Sequence, residues 1–220
     1  MAQIYGREKL VGQITAEEWR TGRRAGLRPW LLTTKSREVA ERASELYQGE
    51  VACAASGGDL HARKLYAEGI AVIVASVANV RHRLALESER GLVHACDGSR
   101  SLPPMPDEGQ PCGCPDDPFE RKAAARAGAG PRPDARVIFR LAAAPGLGEL
   151  SFQSSAWQFY ESLESVSHKV KRTGGPVQME LVLREQRLAT RSGLDVSFAY
   201  PDVHSVRRLP VTQAGLHLAA

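Results

Sequence analysis

Four side chains with the character of metal ligands fall in two short pairs, His94-Ala95-Cys96 and Cys112-Gly113-Cys114. Three thiolates and one imidazole can close a tetrahedral zinc shell, and a small loop-rich segment gains much of its order from such a closure. The spacing departs from the common knuckle, in which two residues separate the paired cysteines. The competing reading is a set of inert thiols in a loop. Cys53, the remaining cysteine, falls in a predicted strand and reads as a small core residue.

Other chemistries find less in the residues. A zinc deaminase would carry its general acid/base Glu shortly after the His, where this chain has Cys96, and its second pair would be Cys-x-x-Cys, where this chain has Cys-Gly-Cys. Asp116-Asp117 follows the cysteines and suggests a metal-dependent hydrolase or nuclease, but acids set between Pro115 and Pro118 belong more readily to a solvated turn. His61, His82, His168, His204 and His217 are scattered without a nucleophile or base motif, and surface positions account for most of them. The stretch PGLGEL lacks the Lys-Ser/Thr end of a phosphate loop, and AGAGP does not stand between a strand and a helix. Arg20, Arg23, Arg24 and Arg28 form a basic arm, and Lys169, Lys171 and Arg172 end a predicted helix. Phosphate contact is one reading of these cations, and a solvated arm with charges complementing a helix C-terminus is the other. Trp157, Phe159 and Tyr160 read as a core stripe before they read as a base-stacking platform.

Composition sets the frame for these residues. The 220 residues are 43% hydrophobic and 25% charged, with a formal net charge of +4, so the chain reads as globular and only mildly basic. The first ten residues hold Arg7, Glu8 and Lys9 and no apolar run of signal length. The longest apolar run, Ile70 to Val80, is too short to span a bilayer. The expectation is a soluble, cytoplasmic protein with reduced thiols.

The elements that would position the candidate ligands can be read from patterning. Residues 1–27 read as a mostly irregular basic arm pinned by Trp19. A first α/β half, 28–90, opens with the apolar run RPWLLTT. Ser36 then stands as an N-cap for a helix with a Val39, Ala43, Leu46 stripe that Gly49 stops. Gly57-Gly58 predicts a hairpin between 50–54 and 60–67, Ile70 to Val77 a buried strand, and 79–90 a helix. Residues 91–134 form a Cys-containing, proline-rich insertion with one short helix, Phe119 to Arg126, and a mobile end at 127–133. The second half, 135–208, holds a hairpin turning at Pro145 to Gly148 and a helix capped by Ser154 or Ser155. Phe159, Leu163, Val166 and Val170 form its stripe, and an alternating strand and a further hairpin at Ser192-Gly193 follow. Residues 209–220 read as a flexible tail. The fold class is therefore α+β in one domain. The order strand, Ser cap, helix, Gly stop, strand occurs in both halves and is consistent with duplicated βαβ units.

Several stretches, in this order, resemble the recombination directionality factor-like family of actinobacterial, especially Streptomyces, phages: RPWLLTTKSREVAERASELYQGEV, CDG at Cys96 to Gly98, CGCP at Cys112 to Pro115, and PGLGELSFQSSAW with the helix and strand after it. The resemblance spans roughly the whole chain. It implies an accessory protein without catalytic residues that binds a large serine integrase, reaches DNA indirectly through it, and promotes excision (attL x attR) over integration. It also implies metal binding. A further family-like cysteine near 131–136 is absent here, so His94 would have to complete the ligand set with Cys96, Cys112 and Cys114. The alternatives are the metal-dependent hydrolase or nuclease and a zinc-stabilised DNA-binding protein.

Overall fold

The computed structural model describes residues 10–16, 30–52, 59–189 and 195–209. Its first elements are β1 (Leu10–Ala16), β2 (Trp30–Thr34), α1 (Arg37–Leu46), β3 (Glu50–Val51), β4 (His61–Leu65), β5 (Gly69–Val74), β6 (Val80–Ser88) and β7 (Gly91–Cys96). After the cysteine loop come α2 (Pro118–Arg126), β8 (Arg132–Leu141), β9 (Glu149–Ser154), α3 (Trp157–Thr173), β10 (Val177–Ala189) and β11 (Asp195–Arg208). The class is α+β, as the patterning predicts. The strands follow the order β11-β10-β5-β8-β9-β1-β2-β4-β3, with β6 on β8 and β7 on β6.

α1 forms where Ser36 can cap it: the Ser36 hydroxyl accepts from the Val39 N–H at 3.3 Å, and Val39, Ala40 and Ala43 turn inward. The residue that takes the left-handed conformation after it is Gln48 (φ 51), one position before the predicted stop. Gly49 serves close packing instead, since a Cβ there would stand 2.7 Å from Ser44 Cα. α3 buries Phe159, Leu163, Val166 and Val170 as its periodicity predicts, with Tyr160 beside them, and ends at left-handed Gly174. Burial of each large apolar side chain contributes about 1.5–3 kcal/mol. Trp30 of β2 meets Phe152 of β9 edge-on at 5.6 Å, and Phe152 meets Phe159 of α3 at 5.0 Å, so one aromatic chain links both helical regions of the core.

Several expectations change. Within the predicted irregular arm, Leu10–Ala16 is a strand lying between β2 and, in parallel, β9. Trp19 and the four arginines of the arm lie outside the described residues. The predicted helix over 79–90 is strand β6, held between β7 and β8. Its residues alternate as Val80, His82, Leu84 against Arg81, Arg83, Ala85, a period of two that suits a strand. Residues 127–130 are not a loose end, because their N–H groups bond back to Ala123, Ala124 and Ala125 of α2. Ser154 does not cap α3 itself; its hydroxyl accepts from Ala156 N–H, and Ala156 is the N-cap residue. Gly57-Gly58 and Ser192-Gly193 lie outside the described residues, although the strands flanking them pair antiparallel as predicted.

The two strand–helix–strand passages are wired differently. In the first, β2 and β3 flank one strand, β4, and both run antiparallel to it. In the second, two strands, β8 and β5, separate β9 from β10, each step antiparallel. A duplicated βαβ unit would require the same wiring twice. The pairing of β6 with β7, and the start of β8 at Arg132, also tie both ends of the cysteine-rich stretch into the sheet.

Candidate metal centre

The two ligand pairs converge for two different backbone reasons. His94 and Cys96 are two apart on β7, so the pleat points both to one face. β6 backs them, with Leu84 opposite Cys96 and Leu86 opposite His94. Beyond Cys96 the chain turns: the Asp97 carboxylate accepts from the N–H groups of Ser99 and Arg100, each at 2.8 Å. The Cys112 N–H then donates to the Ser99 carbonyl at 3.0 Å and brings the second pair back alongside the first. Gly113 takes φ 71 between its two cysteines, a left-handed conformation that glycine adopts freely. That reversal lets a Cys-x-Cys pair serve one centre despite its spacing.

One ligand atom from each of His94, Cys96, Cys112 and Cys114 lies within 4.8 Å of the other three. The Cys96 and Cys114 sulfurs are 3.8 Å apart, and the Cys114 sulfur is 3.4 Å from His94 Nε2. A tetrahedral zinc with metal–sulfur bonds of about 2.3 Å and metal–nitrogen bonds of about 2.0 Å has sulfur–sulfur edges of about 3.8 Å and sulfur–nitrogen edges of about 3.5 Å. The donor set and these two separations therefore fit zinc. No carboxylate belongs to the cluster. Bound by all four side chains, a tetrahedral metal would have a closed shell, the pattern of a structural site.

Burial pushes the Cys96 thiol well above its ordinary value, with the other two cysteines adding to the effect. Burial raises Cys114 too, while the Arg121 guanidinium acts in the opposite direction. Arg121 reaches back from α2 to donate to the Pro115 carbonyl at 3.1 Å and the Asp116 carbonyl at 3.0 Å. It also covers Gly98 (φ 101), where a Cβ would collide with the guanidinium. The loop is tied to α3 in two places. The Tyr160 hydroxyl donates to the Asp97 carbonyl at 3.2 Å, and Lys122 of α2 pairs with Glu161 at 3.0 Å while standing 5.4 Å from the centre of the Trp157 ring.

The remaining sequence candidates disperse. Asp117 caps α2, its carboxylate accepting from the Phe119 N–H at 3.1 Å, and neither Asp116 nor Asp117 joins the cluster. Cys53 and His217 lie outside the described residues. His82 is half-buried: its ring stacks on Tyr160 at 4.0 Å, and its Nε2 is buried without a hydrogen-bond partner. Sequence reasoning missed Asp134 of β8, which accepts from Arg83 Nε at 2.7 Å and Gln153 Nε2 at 3.1 Å, with Arg81 at 3.5 Å. Arg83 also donates to the Pro103 carbonyl at 3.4 Å, so this cluster joins the sheet to the cysteine loop. No local signal marks a pair separated by 51 positions. A cavity of about 520 Å³ next to Asp134 is lined by Glu87, Arg132, Gln153 and Ser155 among others and does not include the cysteines.

Residues 13–205 match the Gp3-like family, described as recombination directionality factor-like. No solved structure matches the chain. Among the described residues no helix is long and apolar enough to cross a membrane. The chain belongs to the recombination directionality factor-like family, and membership supports a role in phage recombination and excision.

Proposed function

We propose that this chain acts in the host cytoplasm as an accessory factor that binds a large serine integrase and turns it from integration towards excision, attL x attR. The family match across residues 13–205 is the observation that carries this reading. The mechanism is differential affinity: the factor binds the integrase conformation competent to synapse attL and attR more tightly than the conformation that refuses them. A preference of about 1–3 kcal/mol, the usual size of allosteric coupling, changes the balance by about 5- to 150-fold. Such a role needs a rigid recognition surface and no catalytic group.

In this reading His94, Cys96, Cys112 and Cys114 hold a structural zinc. Bound there, the metal would cross-link β7 to the returning loop and so fix the surface formed by that loop and α2. The chain's own residues do the positioning: Asp97 and Gly98 shape the turn, Gly113 reverses the backbone, and Arg121 and Tyr160 anchor the loop to α2 and α3. A hydrolase reading would need an open coordination position and a carboxylate in the shell, and the four grouped side chains include no carboxylate. The test is to mix purified protein with the cognate serine integrase and follow complex formation by gel filtration. Co-elution is expected, and a factor that never associates with integrase, free or seated on attachment-site DNA, would refute the reading.

A further inference from the structure

One end of the molecule collects cations from two elements that are far apart in sequence. Lys169, Lys171 and Arg172 stand near the end of α3, and Arg207 and Arg208 end β11. Strand pairing brings them together, since Arg208 lies opposite Val177 and Arg207 opposite Gln178, just past the end of α3. Lys169 Nζ donates to the Val206 carbonyl, and the Leu209 N–H donates to the Pro176 carbonyl at 3.3 Å, so the helix end and the strand end are joined directly. Lys171, Arg172, Arg207 and Arg208 are exposed, and none of the five forms an ion pair among the described residues.

Little negative charge offsets them. The nearby acid Glu180, opposite the exposed His204, lays its carboxylate over Gly69. The acids of α3, Glu161 and Glu164, lie towards its other end. Glu164 and Lys171 are separated by about 10 Å along the helix axis, about one Debye length at 0.1 M salt. Five Lys and Arg against one Glu leave an excess equal to the net charge of the whole chain, +4. Lys171 and Arg172 complement the carbonyl end of α3, but Arg207 and Arg208 sit on a strand and have no such role. Among the described residues, none of the exposed large apolar side chains is on α3, β10 or β11, so the described part of this end shows no apolar anchor of the kind on which protein interfaces are built. Exposed cations without an apolar anchor suit phosphates on a polyanion.

We infer that this end of the chain contacts the phosphate backbone of duplex DNA directly and without sequence preference. The inference stands on the charge distribution and does not require the integrase reading. The probe is a fluorescent 20-base-pair duplex of arbitrary sequence, titrated with the full chain and followed by anisotropy between 50 and 200 mM NaCl. Four to five phosphate contacts imply that affinity falls by about 150- to 500-fold across that range. The double variant Lys171→Glu, Arg207→Glu, both at exposed positions, weakens binding at least tenfold and lowers the salt slope by about two, with thermal stability unchanged. No binding by the wild-type chain at 50 mM salt overturns the inference. So does binding that survives this double variant but is lost in Arg23→Glu, Arg24→Glu. Loss of integrase association in the patch variant, with no DNA binding by the wild-type chain, would assign the surface to an acidic protein partner and equally overturn it.

Discussion

At Gly113 a single left-handed residue (φ 71) lets two cysteines with one residue between them face the same point as His94 and Cys96. If that point holds zinc, the metal contributes to folding directly, because the unfolded chain has no assembled site. A site filled a thousandfold above its Kd contributes about 4 kcal/mol, or roughly 8–16 °C in Tm for a chain of this size. The pair Cys112→Ser, Cys114→Ser is expected to lower Tm by that amount in a thermal melt, and a chelator should lower wild-type Tm to match. Unchanged melting in both experiments would remove the zinc reading. His82 offers a separate test at the same scale. Burial against Tyr160, with Nε2 unpartnered, holds its pKa below the usual 6.5. The folded state thus binds this proton less readily than the unfolded state. The associated stability is fully present above pH 6.5 and is lost as pH falls through the depressed folded value. His82→Phe keeps the ring stack and removes the titration, so between pH 7 and 5 its Tm should fall less than that of the wild type. Parallel curves would show that His82 is indifferent to pH.

Among the elements, β8 is the hub, pairing with β6, β9 and β5 along its ten residues. Asp134 secures two of those contacts at once through Arg83 of β6 and Gln153 of β9. Asp134→Ala leaves a mostly buried guanidinium unpaired and should cost about 1–3 kcal/mol, seen as a Tm several degrees lower. Arg81→Ala, at the exposed rim of the same cluster, should cost under about 1 kcal/mol. Equal effects would mean that the buried pair is not the fastener. Local signals were enough where an element's own residues decide it: Ser36 capping α1, the stripe of α3, the short helix predicted from Phe119 to Arg126, and the alternation in β10. They failed where tertiary pairing decides. β6 is a strand although Val80 and Leu84 also fit a helical spacing of four, and β1 lies in a glycine-rich stretch whose order comes from β2 and β9.

For the whole molecule, the candidate centre was more legible than the sheet around it. His94 with Cys96, and Cys112 with Cys114, are paired in the sequence by proximity and ligand type, while the strand Gly91–Cys96 that turns the first pair to one face falls within the predicted loop-rich insertion. Their convergence depends on the Asp97 turn and on Arg121 and Tyr160, which only the folded chain brings together. The resemblance carried by the RPWLLTT, CGCP and PGLGELSFQSSAW stretches agrees with the match over residues 13–205. The duplicated halves did not survive the wiring of the sheet, in which β1 joins the two passages by a parallel pairing with β9. In the proposed reading directionality is a property of this assembled surface acting on a second protein, so recombination tests it most directly. Cognate integrase would be incubated with attL and attR, and separately with attP and attB, with and without the purified chain. The account predicts excision only when the chain is present, together with suppressed integration. Integrase that recombines both pairs equally with and without it would contradict the account.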